Sequence, residues 1–258
     1  MSVAATTTGS MQARRAGILT ALAEAGRVDV GELARTLGVA EETVRRDLRS
    51  LESEGLLVRA HGGAIPAGAG VVAEAEGIRA VAAAVLELLP VASGVYLDGG
   101  PVSEALAALL PVGRRIRIVT ASVPVALAAA ALGDPPEIHF LGGVVGADGT
   151  ATGHGPRELA SALNLEVAVV EPTGIGAGGR LLAADPDRAA VTESAADAAD
   201  TVLMVSGPRG LAGTGLAGSI PFSRVHRAVL DPAAGTPTIV RSLAEHGVDV
   251  RVLEGVGA

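Results

Sequence analysis

Arg45, Arg46 and Arg49 crowd into one short run, EETVRRDLRS, with Glu42 and Thr43 just ahead of them. A guanidinium presents a planar fork of N–H donors that matches a phosphate or the edge of a guanine, so arginines sharing a helix face suit the reading of a DNA duplex. In the same run Val44, Leu48 and Leu51 recur at i, i+4 and i+7, which stacks them as a buried stripe. Glu42, Thr43, Arg45, Arg46 and Arg49 fall off that stripe, and Arg46 lies opposite it. A second chemistry is written in small polar residues that follow short apolar runs: Asp98-Gly99-Gly100 with Ser103, Thr120-Ala121-Ser122, Leu141-Gly142-Gly143, Thr173-Gly174-Ile175-Gly176 and Ser206-Gly207-Pro208-Arg209-Gly210. Glycines at such ends let backbone N–H groups approach an anion, and a following helix N-terminus adds a favourable dipole.

The elements that must position these groups follow from periodicity. Ile18, Leu19 and Leu22 suit the buried side of a first helix; Leu33, Ala34 and Leu37 suit a second, which Gly38 ends in the left-handed conformation. The turn at Leu37-Gly38-Val39 leads into the arginine helix. Leu56 to Arg59 then reads as a strand able to pair with Val28 and Val30, and His61-Gly62-Gly63 closes it, with Arg59 and His61 at the wing. Residues 11–63 are thus expected to form a winged helix-turn-helix, and residues 64–72, small with Pro and Gly, a linker. From 73 to 258 apolar strands at 94–98, 116–120, 137–141, 166–170, 201–205, 226–230 and 248–253 alternate with helical stretches. That order predicts a Rossmann-like parallel sheet covered on both faces, with ligands at the carboxyl ends of its strands. Asp98, Gly99, Gly100, Ser103, Thr120, Gly142 and Gly174 all lie at those ends.

Composition narrows the function classes. Nearly half of the 258 residues are apolar, but there is no Trp, one Tyr and two Phe, so aromatic stacking on unpaired bases is a poor reading. Cysteine is absent, which excludes thiol catalysis, disulfides and cysteine metal sites. The five histidines (61, 139, 154, 226, 246) show no metal-ligand spacing, and neither a metal nor a cofactor is expected. No apolar run reaches the ~18 residues of a membrane span, and MSVAATTTGS lacks the pattern of a signal peptide, so a cytoplasmic location is expected. The net charge of −8 falls outside the first domain: between Met11 and His61 eight arginines balance eight acids. DNA contact therefore depends on local placement, and its salt-dependent part is expected to be modest.

The run Thr43 to Leu48 and the segment His61 to Ala64 resemble the TVRRDL and HGGA signatures of the DeoR family of bacterial transcription regulators. The resemblance extends over the second domain, which is similar to the DeoR-type sensor, a fold shared with ribose-5-phosphate isomerase and CoA transferases. It implies a sequence-specific DNA binder, a repressor of a carbohydrate or related catabolic operon, released by a sugar phosphate or another small anionic metabolite. It further implies a homo-oligomer, dimer or tetramer. Departures are visible. Ala40 stands where the family has a Ser cap, an omission that costs about 1 kcal/mol of helix stability and that Glu41 and Glu42 partly offset through the helix dipole. The family's Asp-x-Gly-Thr-Thr loop is Asp98-Gly99-Gly100-Pro101-Val102 here, so both hydroxyls are gone and Pro101 has removed one amide donor. The family's lysine after the fifth strand corresponds to Arg209, which makes Arg209 the expected positive charge of the pocket. Two alternatives accompany this reading: a sugar-phosphate isomerase with Asp98 or Asp185 as base, for which no lysine is present to assist, and a constitutive DNA binder whose second domain only oligomerises.

Overall fold

The computed structural model describes residues 4–60 and 62–255, which form two compact units dividing between Ala75 and Glu76. In the first, α1 (Ala4–Ala25), β1 (Val28–Asp29), α2 (Val30–Leu37), α3 (Glu41–Ser53), β2 (Leu57–Ala60) and β3 (Gly63–Pro66) follow in order. Ile18 and Leu22 of α1, Leu33 and Ala34 of α2, and Val44, Leu48 and Leu51 of α3 close one core with Leu57 and Ala64. The Asp29 carboxylate caps α2, accepting from the Gly31 and Glu32 amides at 2.8 and 3.1 Å. Capping of this kind satisfies N–H groups that the first turn leaves open. The helix ends at Gly38, with φ 64°.

The wing departs from the sequence expectation in two respects. Strand β2 does not pair with Val28 and Val30; it pairs with β3, and β3 pairs in turn with β1, placing Val28 opposite Ala64 and Asp29 opposite Gly63. Val30 already belongs to α2. Consequently the stretch 64–72 is not a loop: it continues strand β3 through Pro66, and α4 (Ala67–Leu86) begins at Ala67. A Cβ on Gly63 would come within 1.8 Å of the Val28 carbonyl oxygen, so the central strand of the wing is held to glycine and looks loop-like in composition. His61 lies outside the described residues.

The second unit contains a seven-stranded sheet built from β4 (Ala92–Leu97), β5 (Arg115–Thr120), β6 (Glu137–Phe140), β9 (Leu165–Val170), β12 (Ala199–Ser206), β14 (Arg227–Leu230) and β15 (Asp249–Val252). Their order across the sheet is β15-β14-β12-β9-β4-β5-β6, and each pairing is parallel. Successive side chains point to opposite faces. Tyr96, Ala168, Val170, Val202 and Met204 therefore join one core with α7 (His154–Ser161), α8 (Pro186–Asp197) and α9 (Pro237–Ala244). Val95, Leu97, Val167, Val169, Leu203 and Val205 join the other with α4, α5 (Pro101–Ala108) and α6 (Val123–Ala130). The seven sheet strands are those expected from the sequence. Two smaller features were not foreseen: a hairpin of β7 (Val144–Val145) and β8 (Ala151–Thr152), and an antiparallel sheet of β10 (Gly174–Gly176), β11 (Arg180–Ala183) and β13 (Ala217–Pro221).

Candidate functional site

The first site is the outer face of α3. Its cap position, Ala40, makes no side-chain hydrogen bond to the first turn, and Glu41 and Glu42 occupy that turn. Each of these acids engages an arginine: Arg45 lies 2.6 Å from Glu41 and Arg49 2.6 Å from Glu42. Arg46 is exposed and, among the described residues, makes no hydrogen bond or ion pair. Thr43 is half-buried. Arg45 and Arg49 are thus each held by a carboxylate, whereas the guanidinium of Arg46 faces water. At the helix's far end Glu52 accepts from the Arg59 amide at 3.0 Å and from its guanidinium at 2.6 Å. These two donors, the amide first, hold the Glu52 carboxyl below its ordinary value, and they tie the wing strand to α3.

A residue the sequence reading passed over holds this surface in place. Asp47 is buried, and the Arg14 guanidinium of α1 engages both its oxygens, one through Nε and one at 3.0 Å. The charge inside the TVRRDL run thus belongs to the packing of α1 on α3. Its signal was the acid itself, one position before Leu48 on the buried stripe.

The second site lies at the carboxyl ends of β4 and β9. Asp98 is buried and saturated: Oδ1 accepts from the Gly99 amide at 2.9 Å, the Thr192 hydroxyl at 3.3 Å and the Tyr96 hydroxyl at 3.4 Å, and Oδ2 accepts from the Glu171 amide at 3.3 Å. Burial, and then the Asp98 charge, push the Tyr96 hydroxyl well above its ordinary pKa. Arg188 of α8 is the cation here. Its guanidinium donates to the Gly99 carbonyl, lies 2.7 Å from Asp148 and stands 4.0 Å from Asp98. Burial opposes its charge, but Asp98 and Asp148 outweigh that and raise its pKa.

The group occupying the start of α5 is a carboxylate. Glu171, directly after β9 and 6% exposed, accepts from the Val102 amide at 3.1 Å through Oε1 and from the Ser103 amide at 3.0 Å through Oε2. Pro101 has no N–H to add. The approach depends on Gly100, whose Cβ, were there one, would lie 2.5 Å from the Glu171 carboxyl. Burial lifts the Glu171 carboxyl to about 7; the two amides pull it down and the Asp98 charge pushes it up. Ser103 is fully buried, and its hydroxyl makes no hydrogen bond of ordinary geometry. The cavity beside Asp98, Glu171, Arg188 and Thr192 measures about 10 Å³, room for one water at most.

Of the residues expected to converge, Asp98, Gly99, Gly100 and Ser103 meet around Glu171 and Arg188. Thr120 is buried next to them, donating to the Leu97 carbonyl at 2.8 Å and accepting from the Ser122 amide at 3.0 Å; a Cβ on Gly99 would lie 3.5 Å from that of Ser122. Gly174 sits in β10 against the Gly213 carbonyl, and Gly142 has no atom within 4 Å of where a Cβ would be. Arg209 is exposed in the turn after β12. Asp185, weighed above as a base, caps α8 through the Arg188 amide at 2.9 Å. His154 is exposed at the start of α7, 3.2 Å from Glu158. Glu171 and Arg188 were not singled out from the sequence. The readable signal for the first was a charged residue immediately after a buried strand.

A winged helix-turn-helix carrying an arginine face, in one chain with a parallel α/β unit whose α5 amides are held by a buried carboxylate, defines a two-part transcription regulator. Residues 14–67 match the DeoR-like helix-turn-helix domain and residues 74–232 the DeoR C terminal sensor domain. The chain belongs to the DeoR family of transcription regulators. It is 37% identical over 117 residues to the HTH-type transcriptional repressor CsqR of Escherichia coli (strain K12), across 42% of this chain and 45% of that protein. It is 29% identical over 180 residues to the glycerol-3-phosphate regulon repressor of the same organism, across 67% of this chain and 71% of the relative. The match thus spans less than half the length of the first relative. Among solved structures, ribose 5-phosphate isomerase from Plasmodium falciparum aligns over 55% of each chain at 15% identity with a TM-score of 0.37, too distant to inform the chemistry. No helix among the described residues is long and apolar enough to cross a membrane.

Proposed function

We propose that this protein is a sequence-specific repressor of a catabolic operon, that Arg46 with Thr43, Arg45 and Arg49 reads the major groove, and that Arg59 and His61 of the wing touch the DNA backbone or minor groove. The observation that carries the reading is Arg46: exposed, opposite the buried stripe of α3 and without an ion pair, between two arginines tied to glutamates. A dimer or tetramer would present two such helices to related half-sites. The α/β unit then senses a small anionic metabolite received at the α5 amides, and binding there lowers DNA affinity by roughly 1 to 3 kcal/mol of coupling. That CsqR and the glycerol-3-phosphate regulon repressor are named as repressors supports the direction of control.

Selection of preferred duplexes from a random pool with the full chain, followed by titration of the selected site at fixed salt, tests this. Arg46→Ala is expected to lose about 1 to 3 kcal/mol of discrimination. If the chain selects no sequence, or Arg46→Ala keeps the selected preference, the reading fails. A second reading, a DNA binder indifferent to metabolites, draws support from the cradle itself, which Glu171 fills and which leaves a cavity of only about 10 Å³.

A further inference from the structure

We infer that Glu171 is a built-in competitor for the anion cradle at the start of α5, so that an anionic effector enters only by displacing or neutralising this carboxylate. The inference rests on the reading of the α/β unit as a sensor and adds what that reading lacks, a determinant of which effectors it admits. Helix N-termini bind anions through open N–H groups and the dipole. Here the first two amides of α5 that have a hydrogen, Val102 and Ser103, each donate to one oxygen of the same carboxyl. Two parallel N–H donors on two oxygens is how one edge of a phosphoryl or sulfuryl group would be held. Gly100 is the structural concession to it: any side chain there would collide with the Glu171 carboxyl. The hydroxyl of Ser103, fully buried on the same turn and without a hydrogen bond of ordinary geometry, lies close enough to the carboxyl to help hold its pKa down and is a further donor for an anion there.

The charges around the cradle make the competition sensitive to protonation. Asp98 faces Glu171 from β4 and disfavours its ionised form; Arg188 of α8 favours it but is already shared with Asp98, Asp148 and the Gly99 carbonyl. Tyr96 on β4 stays neutral, Thr192 of α8 carries no charge, and Glu104, the carboxylate of α5 itself, is pushed up by burial. A dianion arriving beside ionised Glu171 would meet three carboxylates against one guanidinium. Beside protonated Glu171 one of the two amides loses its acceptor, and the site carries one negative charge fewer.

Sulfate tests this because its charge is constant where a phosphate ester would titrate. Tyr96 is the chain's sole tyrosine, and no tryptophan is present, so tyrosine fluorescence of the full protein reports on this site alone. Sulfate is titrated at pH 6 and pH 8, with chloride at matched ionic strength as control. With a carboxyl near 7 as gate, wild type should bind about tenfold more tightly at pH 6 than at pH 8. Glu171→Gln, nearly isosteric and uncharged, should bind with the same affinity at both pH values, at pH 8 more tightly than wild type. Glu171→Ala, which vacates the cradle, should do likewise and guards against a poorly packed Gln. Wild-type affinity that is the same at both pH values, variants that keep the tenfold dependence, or no saturable sulfate binding to wild type or either variant would overturn the inference. Binding of the selected duplex is measured in parallel without sulfate. Failure of wild type to select any duplex, with the sulfate results as expected, would sink the repressor reading and leave the competition at Glu171 standing.

Discussion

Replacing Glu171 with glutamine should change the pH dependence of stability more than stability at any one pH. The carboxyl is raised from an ordinary 4.5 to about 7 by burial, an interval worth about 3 kcal/mol at roughly 1.36 kcal/mol per pH unit. Because the folded value lies above the unfolded one, the stabilisation associated with this proton is complete below about 4.5 and is lost as pH rises through about 7. Wild type should therefore lose roughly 2 to 3 kcal/mol from this group between pH 5 and pH 8.5, and Glu171→Gln should not. Glutamine brings its own cost, since its NH₂ end must face one of the Val102 and Ser103 amides, donor against donor, at about 1 to 3 kcal/mol. That penalty is the same at every pH, so the diagnostic is the slope. Urea unfolding of the full chain, followed through Tyr96 fluorescence at pH 5, 6, 7 and 8.5, separates the two. Curves of unfolding free energy against pH that run parallel for wild type and variant would show that Glu171 keeps an ordinary carboxyl in the fold, and the reasoning from burial would be wrong.

Two further outcomes concern the DNA-binding unit. Asp47→Ala strands the Arg14 guanidinium and should destabilise the packing of α1 on α3 by about 3 kcal/mol, the low end for a broken buried pair because Arg14 keeps some access to water; amide exchange within α3 should quicken on the order of a hundredfold, and unchanged exchange would remove the pair from the account of stability. Ala40→Ser supplies the missing cap and should stabilise α3 by about 1 kcal/mol, seen as slower exchange of the Glu42 and Thr43 amides; equal rates in the two proteins would mean that Glu41 and Glu42 already satisfy that turn.

Legibility in the sequence followed the kind of force that holds each part. The seven sheet strands could be read because burial on both faces leaves near-continuous apolar runs such as Leu165–Val170. The buried stripe of α3 could be read because Val44, Leu48 and Leu51 keep a helical period. Strand β3 could not, since Gly63 and Pro66 are present for backbone clearance and strand ending, and the pairing that makes them a strand is made by main-chain groups. The antiparallel sheet of β10, β11 and β13 escaped for a similar reason: Gly174–Gly176 has no side-chain pattern to betray it. At the sensor site the glycines and Asp98 were visible as strand ends. Their partners were not, because Glu171 and Arg188 are distant in sequence from β4 and act through charge rather than periodicity. The role of Asp185 was also legible. An Asp directly before Pro186 and a run of helix formers is the signature of a cap with proline in the first turn, and the carboxylate caps α8.

The two sites share one physical arrangement. On α3, Glu41 and Glu42 hold Arg45 and Arg49, the arginines proposed to meet DNA; at α5, Glu171 holds the amides proposed to receive an effector's anionic group. In each case a carboxylate of the chain takes the place of the ligand. The exposed pairs on α3 are worth little, typically under about 1 kcal/mol each, so they lower DNA affinity slightly and favour sequences whose contacts repay the exchange. Glu171 is different in degree because it is buried. Its removal from the amides exposes two donors and disturbs Asp98 and Arg188 together, so on this reading an anion that cannot replace both hydrogen bonds gains nothing by entering. On the proposed reading, selectivity at the sensor comes from the strength of the internal occupant as much as from contacts to the effector, and a carboxylate near its own pKa is an occupant whose strength changes with pH.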